Sequence, residues 1–245
     1  MSHEHEFEPT LGHLEAVGTL EALLLLHRDM KKGRLFIHIG DPLVERLAGF
    51  IEGYRACLRE HQLSDEAYAR FCEWLWSTRR EEPIEKATER HLSMAGGEHE
   101  RAIGTYLDWV HEFSTSPRSK RALPSDATPA QPPETEEGPP AARDTLSYLL
   151  CIRESLLHGR LHEHLENTNA ERFNTFIDGY NACADDNHLK NELYANFGNW
   201  LRDVKRELPE EGWPAKYLRD CNGDHQQAIL RYLDFVAEFA ALHKG

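Results

Sequence analysis

The sequence predicts an all-α protein, a tandem repeat of two helical modules of about five helices each, joined by a disordered linker. Three observations lead to this prediction. Apolar residues recur at helical spacings of three and four, the chain resembles itself at a fixed offset, and a proline-rich stretch separates the two similar parts. We expect module 1 at residues 1–113, the linker at 114–142 and module 2 at 143–245.

The repeat aligns residues 19–113 with residues 145–239 without a gap, and more than a third of the aligned positions are identical. FIEGYRAC at Phe50–Cys57 returns as FIDGYNAC at Phe176–Cys183. Agreement over this length indicates duplication of a folded unit. The stretch between the copies is rich in Pro, Ser, Thr and Ala, so it lacks the apolar surface that would offset the entropy of ordering.

Helix boundaries follow from capping residues. The second helix of module 1 is predicted to begin with Asp41 as N-cap and Pro42 at the first helical position. Its counterpart is predicted to begin at Thr168, with Glu171 completing a capping box. The segment 34–39, RLFIHI, is interpreted as a helix end or an irregular connector.

Aromatic and glycine positions recur in both copies. Trp74 and Trp200 lie on apolar helical stripes and are predicted to be core residues. Gly53 and Gly179 fall within helices, where glycine costs about 1 kcal/mol relative to alanine. A close crossing of a neighbouring helix is the favoured explanation, and a notch for a ligand is the alternative.

The charge balance limits the classes of function. The 42 acidic and 28 Lys and Arg residues give a net charge of −14, which disfavours direct binding of nucleic acid and favours a basic partner. The longest apolar run is too short to span a membrane, so the protein is expected to be cytoplasmic. The five cysteines are an odd number without a CxxC pair, so they are expected to be reduced thiols.

Several polar groups are candidates for catalysis or metal binding. The histidines that recur in the copies are more typical of loop ends than of general bases, and the paired carboxylates are more typical of a solvated acidic face. The cluster His158, His162 and His164 has no counterpart set in module 1, so no metal and no cofactor are expected. No catalytic residue is predicted. The recurring groups are His99 and His225, Asp108 and Glu112, and Asp234 and Glu238.

The loop after the third helix differs most between the copies. In module 2 it carries Glu210, Glu211, Trp213 and Tyr217, which are the candidate binding residues. An exposed Trp213 would anchor an interface with the carboxylates as its rim, whereas a buried Trp213 would only complete the core. Burial is the favoured alternative.

The motifs FIEGYRAC, FCEWLW and YLDWVHEF, with their echoes FIDGYNAC, FGNWLR and YLDFVAEF, resemble small bacterial helical proteins of unknown function. Some of those proteins are encoded near polymorphic toxins, where immunity proteins are found. The resemblance implies a non-enzymatic protein that binds a partner protein, with toxin neutralisation as its most concrete form. The alternatives are an adaptor with two linked binding modules, an uncharacterised enzyme, or a mimic of nucleic acid.

Overall fold

The computed structural model describes residues 16–120 and 143–243, termed here the first and the second half. These residues form eleven α-helices and no strand, which confirms the all-α class. The helices of the first half are α1 (Thr19–Met30), α2 (Phe36–Ile39), α3 (Val44–Glu60), α4 (Glu66–Arg79), α5 (Thr88–Met94) and α6 (His99–Thr115). Those of the second half are α7 (Thr145–Leu157), α8 (Ala170–Asp186), α9 (Glu192–Asp203), α10 (Trp213–Asp220) and α11 (His225–Leu242).

The first half continues beyond the predicted boundary at residue 113. Ser114 and Thr115 belong to α6, and a short 3-10 helix at Pro117–Lys120 packs against α4 and α6. The serine hydroxyls near this end bond to backbone carbonyls, which explains why a polar segment stays ordered. The rest of the predicted linker, 121–142, lies outside the described residues.

The predicted start of the second helix in module 1 was wrong. This helix, α3, begins at Val44 with Leu43 as its N-cap. Asp41 does not cap it, and its carboxylate lies 3.7 Å from Arg46 Nη2 instead. Pro42 precedes the helix by two residues, so it ends the preceding turn instead of opening α3.

The predicted capping box at Thr168 was also wrong. The N-cap of α8 is Asn169, whose side-chain oxygen accepts hydrogen bonds from the backbone amides of Glu171 and Arg172. Asparagine is among the best N-cap residues, and it competed here with the threonine one position earlier.

Each half has a core of stacked and edge-on aromatic rings. These rings lie between α4 and α6 in the first half and between α9 and α11 in the second. In the first half Tyr68 and Tyr106 join their hydroxyls at 2.9 Å, and in the second half Tyr194 and Tyr232 do so at 3.0 Å. The prediction for the tryptophans is confirmed for Trp74, which is buried, while Trp200 is half-buried against the core. The same clusters contain the ring pairs Phe71 with Phe113 and Phe197 with Phe239.

The two halves pack against each other through α3 and α8, which lie side by side and run in the same direction. A Cβ atom added at Gly53 would lie 1.8 Å from the carbonyl oxygen of Phe176, and one added at Gly179 would lie 2.1 Å from that of Phe50. The backbones therefore touch where the glycines lie. The predicted close crossing is confirmed, and its partner is the matching helix of the other half.

Reciprocal ion pairs flank this crossing. Arg46 Nη2 lies 2.6 Å from Glu171, and Arg172 Nη1 lies 2.9 Å from Glu45. The arginine of each helix thus pairs with the glutamate of the other helix, and these contacts are termed here the exchanged Glu-Arg pairs. Such an exchange is typical of an interface between two matching surfaces.

Arg172 is the most deeply buried charged residue of the contact, with 1% of its surface exposed. Its guanidinium also contacts Glu52 at 2.6 Å and donates to the carbonyl oxygen of Glu85. Because both its carboxylate partners belong to the first half, this arginine ties the two halves into one body.

Candidate functional site

The predicted binding loop does not present its aromatic rings to solvent. Trp213 is 3% exposed and stacks on Tyr232 with ring centroids 4.5 Å apart. Tyr217 is fully buried, and its hydroxyl donates to the carbonyl oxygen of Glu207. Both rings complete the core of the second half, so neither can act as an exposed anchor. The favoured alternative, a buried Trp213 that completes the core, is confirmed.

The two carboxylates of the same loop remain at the surface. Glu210 and Glu211 are both exposed, and Glu211 lies 3.0 Å from Arg219. Without an exposed ring beside them, these carboxylates lack the interface centre for which they were predicted to form the rim. A contact of these two residues with a partner stays a prediction.

The recurring histidines cap helices of their own half. The Nδ1 atom of His99 accepts a hydrogen bond from the backbone amide of Val44, and that of His225 accepts one from Ala170. These amides belong to the first residues of α3 and α8, which have no partner within their helices. The contact therefore explains both histidines as structural groups.

The paired carboxylates of the last helices are engaged in ion pairs between helices. Each of the four contacts a basic side chain of another segment in its half, which explains the pairs as structural contacts. The pairs are Asp108 with His27 and Lys31, Glu112 with Arg79, Asp234 with Arg153, and Glu238 with Lys205.

The histidine cluster of the second half is divided between different contacts. His164 bonds to the hydroxyls of Tyr148 and Ser155, and His158 bonds to a backbone carbonyl of its own helix. Within residues 16–120 and 143–243, no three His, Cys, Asp or Glu side chains are placed to hold a metal ion.

All five cysteines are free thiols in the structure. Cys57 and Cys183 are fully buried at equivalent positions of α3 and α8. The neighbouring thiol of Cys57, together with burial, raises the pKa of Cys183. Because the thiolate is the reactive form, the raised pKa of Cys183 disfavours reactions of this thiol in the folded protein.

A polar pocket of about 470 Å³ lies where α3 meets the segment before α8. Most of its charged groups are in ion pairs: Glu52 with Arg172, Lys86 with Glu166, and Arg55 with Glu85. Because two of these pairs join the first half to the second, packing of the two halves explains most of the charge that lines the pocket.

Glu85 is the most unusual residue of this pocket. Its carboxylate is buried and accepts hydrogen bonds from the hydroxyl of Tyr68 at 2.9 Å and from Arg55 at 3.2 Å. Desolvation raises the pKa of Glu85, and the charge of Arg55 opposes that shift. The repeat does not predict this burial, because the equivalent position holds the same residue, Glu211, which is exposed.

We expect the ionisation of Glu85 to reduce stability as the pH rises. Because its folded-state pKa lies above the ordinary 4.5, the folded protein binds this proton more tightly than the unfolded chain. The free energy of unfolding of the wild type, relative to Glu85→Gln, should therefore be constant below about pH 4.5 and fall above it. Urea unfolding across the pH range measures this difference. The control is Glu82→Gln, which changes an exposed carboxylate. If the difference in the free energy of unfolding between the wild type and each variant did not change with pH, the expectation would be contradicted.

The largest exposed apolar side chains that are adjacent in sequence lie on α2. Phe36 is 65% exposed and Ile37 is 61% exposed. We term these two side chains the α2 surface. Their equivalents in the second half are His162 and Glu163, so only the first half carries an apolar pair here. Sequence reasoning missed this pair because the alternation of RLFIHI was interpreted as a connector.

The α2 helix is held in place by buried polar contacts beneath it. The carboxylate of Asp29 pairs with Arg34 at 2.6 Å and with His38 at 2.9 Å. Hydrogen bonds from His38 and Arg34 lower the pKa of Asp29 from 3.8 to about 2. The α2 surface is therefore presented on an anchored turn that also packs against α3 and α8.

Searches against protein-family models, curated proteins and solved structures find no match to this chain. Among the helices of residues 16–120 and 143–243, none combines the length and the apolar character needed to cross a membrane.

Proposed function

We propose that this protein is a non-enzymatic binding protein whose partner is a basic protein that docks on the α2 surface. The observation that supports the proposal most directly is the joint exposure of Phe36 and Ile37 on an anchored turn. Burying one such side chain contributes about 1.5–3 kcal/mol. Two neighbouring ones would supply the apolar centre of an interface.

A carboxylate beside the α2 surface favours a basic partner. The side chain of Asp41, which follows α2 directly, is 80% exposed. With the net charge of −14, this group would attract a positively charged protein and speed its association.

Neutralisation of a toxin, such as a basic nuclease, is the most concrete form of this proposal. The protein would act in the cytoplasm, where the free thiols stay reduced. Its binding would cover or distort the site of the toxin, and no chemistry on the part of this chain would be needed.

We further propose that the chain is a duplicated module whose copies pack as dimer partners within one polypeptide. Matching histidine caps, matching tyrosine pairs and exchanged Glu-Arg pairs support this history. The alternative of an adaptor with two independently moving modules is less favoured, since the glycine contact of α3 and α8 couples the halves tightly.

The α2 surface is tested by the double variant Phe36→Ser and Ile37→Ser. We expect it to lower the affinity for the natural partner by at least about tenfold, because each side chain contributes on the order of 1 kcal/mol or more. Affinity capture from native lysate with mass spectrometry identifies candidates enriched by the wild type and lost by the variant. Calorimetry on the purified pair then gives the affinity.

The matched control is Val204→Ser with Leu242→Ser, two exposed apolar residues of the second half. This control should bind like the wild type, and all proteins should unfold at similar urea concentrations. Equal binding by wild type, control and α2 variant would reject the α2 surface as the docking site.

A further inference from the structure

A second surface of the first half has the opposite charge. An open groove of about 1240 Å³ runs along α1 beside the end of α6. Leu24 and Leu25, both half-buried, supply its apolar lining. His27 and His111 stack with ring centroids 4.9 Å apart within it. We term it the α1 groove.

Three cations line the α1 groove along the end of α1. Arg28, Lys31 and Lys32 are all exposed. Lys31 lies 2.8 Å from Asp108, whereas Arg28 and Lys32 form no ion pair with the residues that the structure describes. Within the part of the chain that the structure describes, two cations of the groove therefore lack an acidic partner, on a chain with a net charge of −14.

The dipole of α1 does not by itself account for these cations. Basic residues near a helix C-terminus are favourable, but the equivalent helix α7 ends without them. The residues equivalent to Arg28, Lys31 and Lys32 are Glu154, Leu157 and His158. The two equivalent helices thus differ sharply in surface charge at their C-terminal ends. A duplicated scaffold acquires new binding through such changes at its surface.

We propose that the α1 groove binds an acidic amphipathic helix of a second partner protein. Apolar side chains of that helix would rest on Leu24 and Leu25, and its carboxylates would meet Arg28 and Lys32. This is the helix-in-groove mode of recognition, in which residues spaced by three and four anchor the ligand.

Charge and shape favour such a helix over other anions. A membrane with acidic lipids and a nucleic acid both carry extended negative charge, which the protein as a whole repels. Glu21 and Asp108 border the groove and would oppose a flat anionic surface, while a narrow helix can place its carboxylates between them. The apolar lining also needs apolar contacts, which a phosphate backbone does not offer.

The test uses a synthetic peptide of about five helical turns, with leucine at one face and glutamate elsewhere. The full chain should bind it, with an affinity that falls as salt is added. The double variant Arg28→Glu and Lys32→Glu should weaken binding by at least about tenfold, since it removes two attractions and adds two repulsions. Fluorescence anisotropy of the labelled peptide gives the affinities.

The control variant is Lys190→Glu with Arg202→Glu, which reverses two exposed cations of the second half. It should bind the peptide like the wild type, and a matched peptide with glutamine in place of glutamate should bind the wild type at least about tenfold more weakly. Equal losses in both variants, or equal binding of both peptides, would overturn the proposal. So would binding of acidic lipid vesicles through Arg28 and Lys32 without binding of the peptide. None of these outcomes depends on the α2 surface.

Discussion

Replacing Gly53 with alanine is expected to lower the free energy of unfolding by about 3 kcal/mol, the upper part of the range for overpacked sites. The added Cβ atom would lie 1.8 Å from the carbonyl oxygen of Phe176 and 2.9 Å from the backbone nitrogen of Tyr180. Both neighbours are backbone atoms, so no side chain can rotate to make room. Relief requires α3 and α8 to move apart, which loosens the contact between the halves.

Gly198→Ala is the matched control for this change. Gly198 also lies within a helix, but a Cβ atom there would meet nothing within 4 Å. Alanine should therefore raise the stability by up to about 1 kcal/mol through its better helix propensity. Urea unfolding of the three proteins measures both effects. Similar gains in both variants would show that α3 and α8 are not in backbone contact.

The glycine contact shows what periodicity could and could not predict. A glycine within a helix signals that something approaches closely, and this held for Gly53 and Gly179. The pattern does not say which helix approaches, because amphipathic stripes identify an apolar face without naming its partner. The contact between the halves was therefore open until the structure placed the two glycines against each other's helix.

Trp213 shows a second limit of prediction from the sequence. Trp213 begins α10 and precedes Pro214, so an apolar residue there could face either way from sequence alone. What decides its burial is its packing against Tyr232 on α11 and Phe173 on α8, which are other parts of the chain. The buried carboxylate of Glu85 escaped prediction for the same reason, since its partners Tyr68 and Arg55 lie on other elements.

The exchanged Glu-Arg pairs did leave a signal in the sequence. Glu45 and Arg46 recur as Glu171 and Arg172 although most neighbouring positions changed between the copies. A charged pair retained beside an apolar stripe in both copies indicates a shared structural contact. The sequence did not reveal that Arg172 would be the more buried member, since this depends on Glu52 and the backbone of Glu85.

Arg172→Met is expected to lower the free energy of unfolding by about 3–5 kcal/mol, because it leaves buried carboxylates without their cation. Desolvation raises the pKa of Glu52, and Arg172 is the group that opposes this shift. Adding Glu52→Gln to the methionine variant should therefore restore part of the loss, since the amide removes the unpaired charge. Urea unfolding at neutral pH measures all these variants.

Arg46→Met is the matched control, because Arg46 makes the exchanged contact with Glu171 at a site that solvent reaches. Its loss should be clearly smaller than that of Arg172→Met, since water reaches Glu171, with 23% of its side chain exposed, more readily than it reaches Glu52, with 10% exposed. Equal losses at the two arginines would show that burial does not determine the strength of these pairs. A failure of Glu52→Gln to restore stability would show that Arg172 acts through the packing of its side chain and not through its charge.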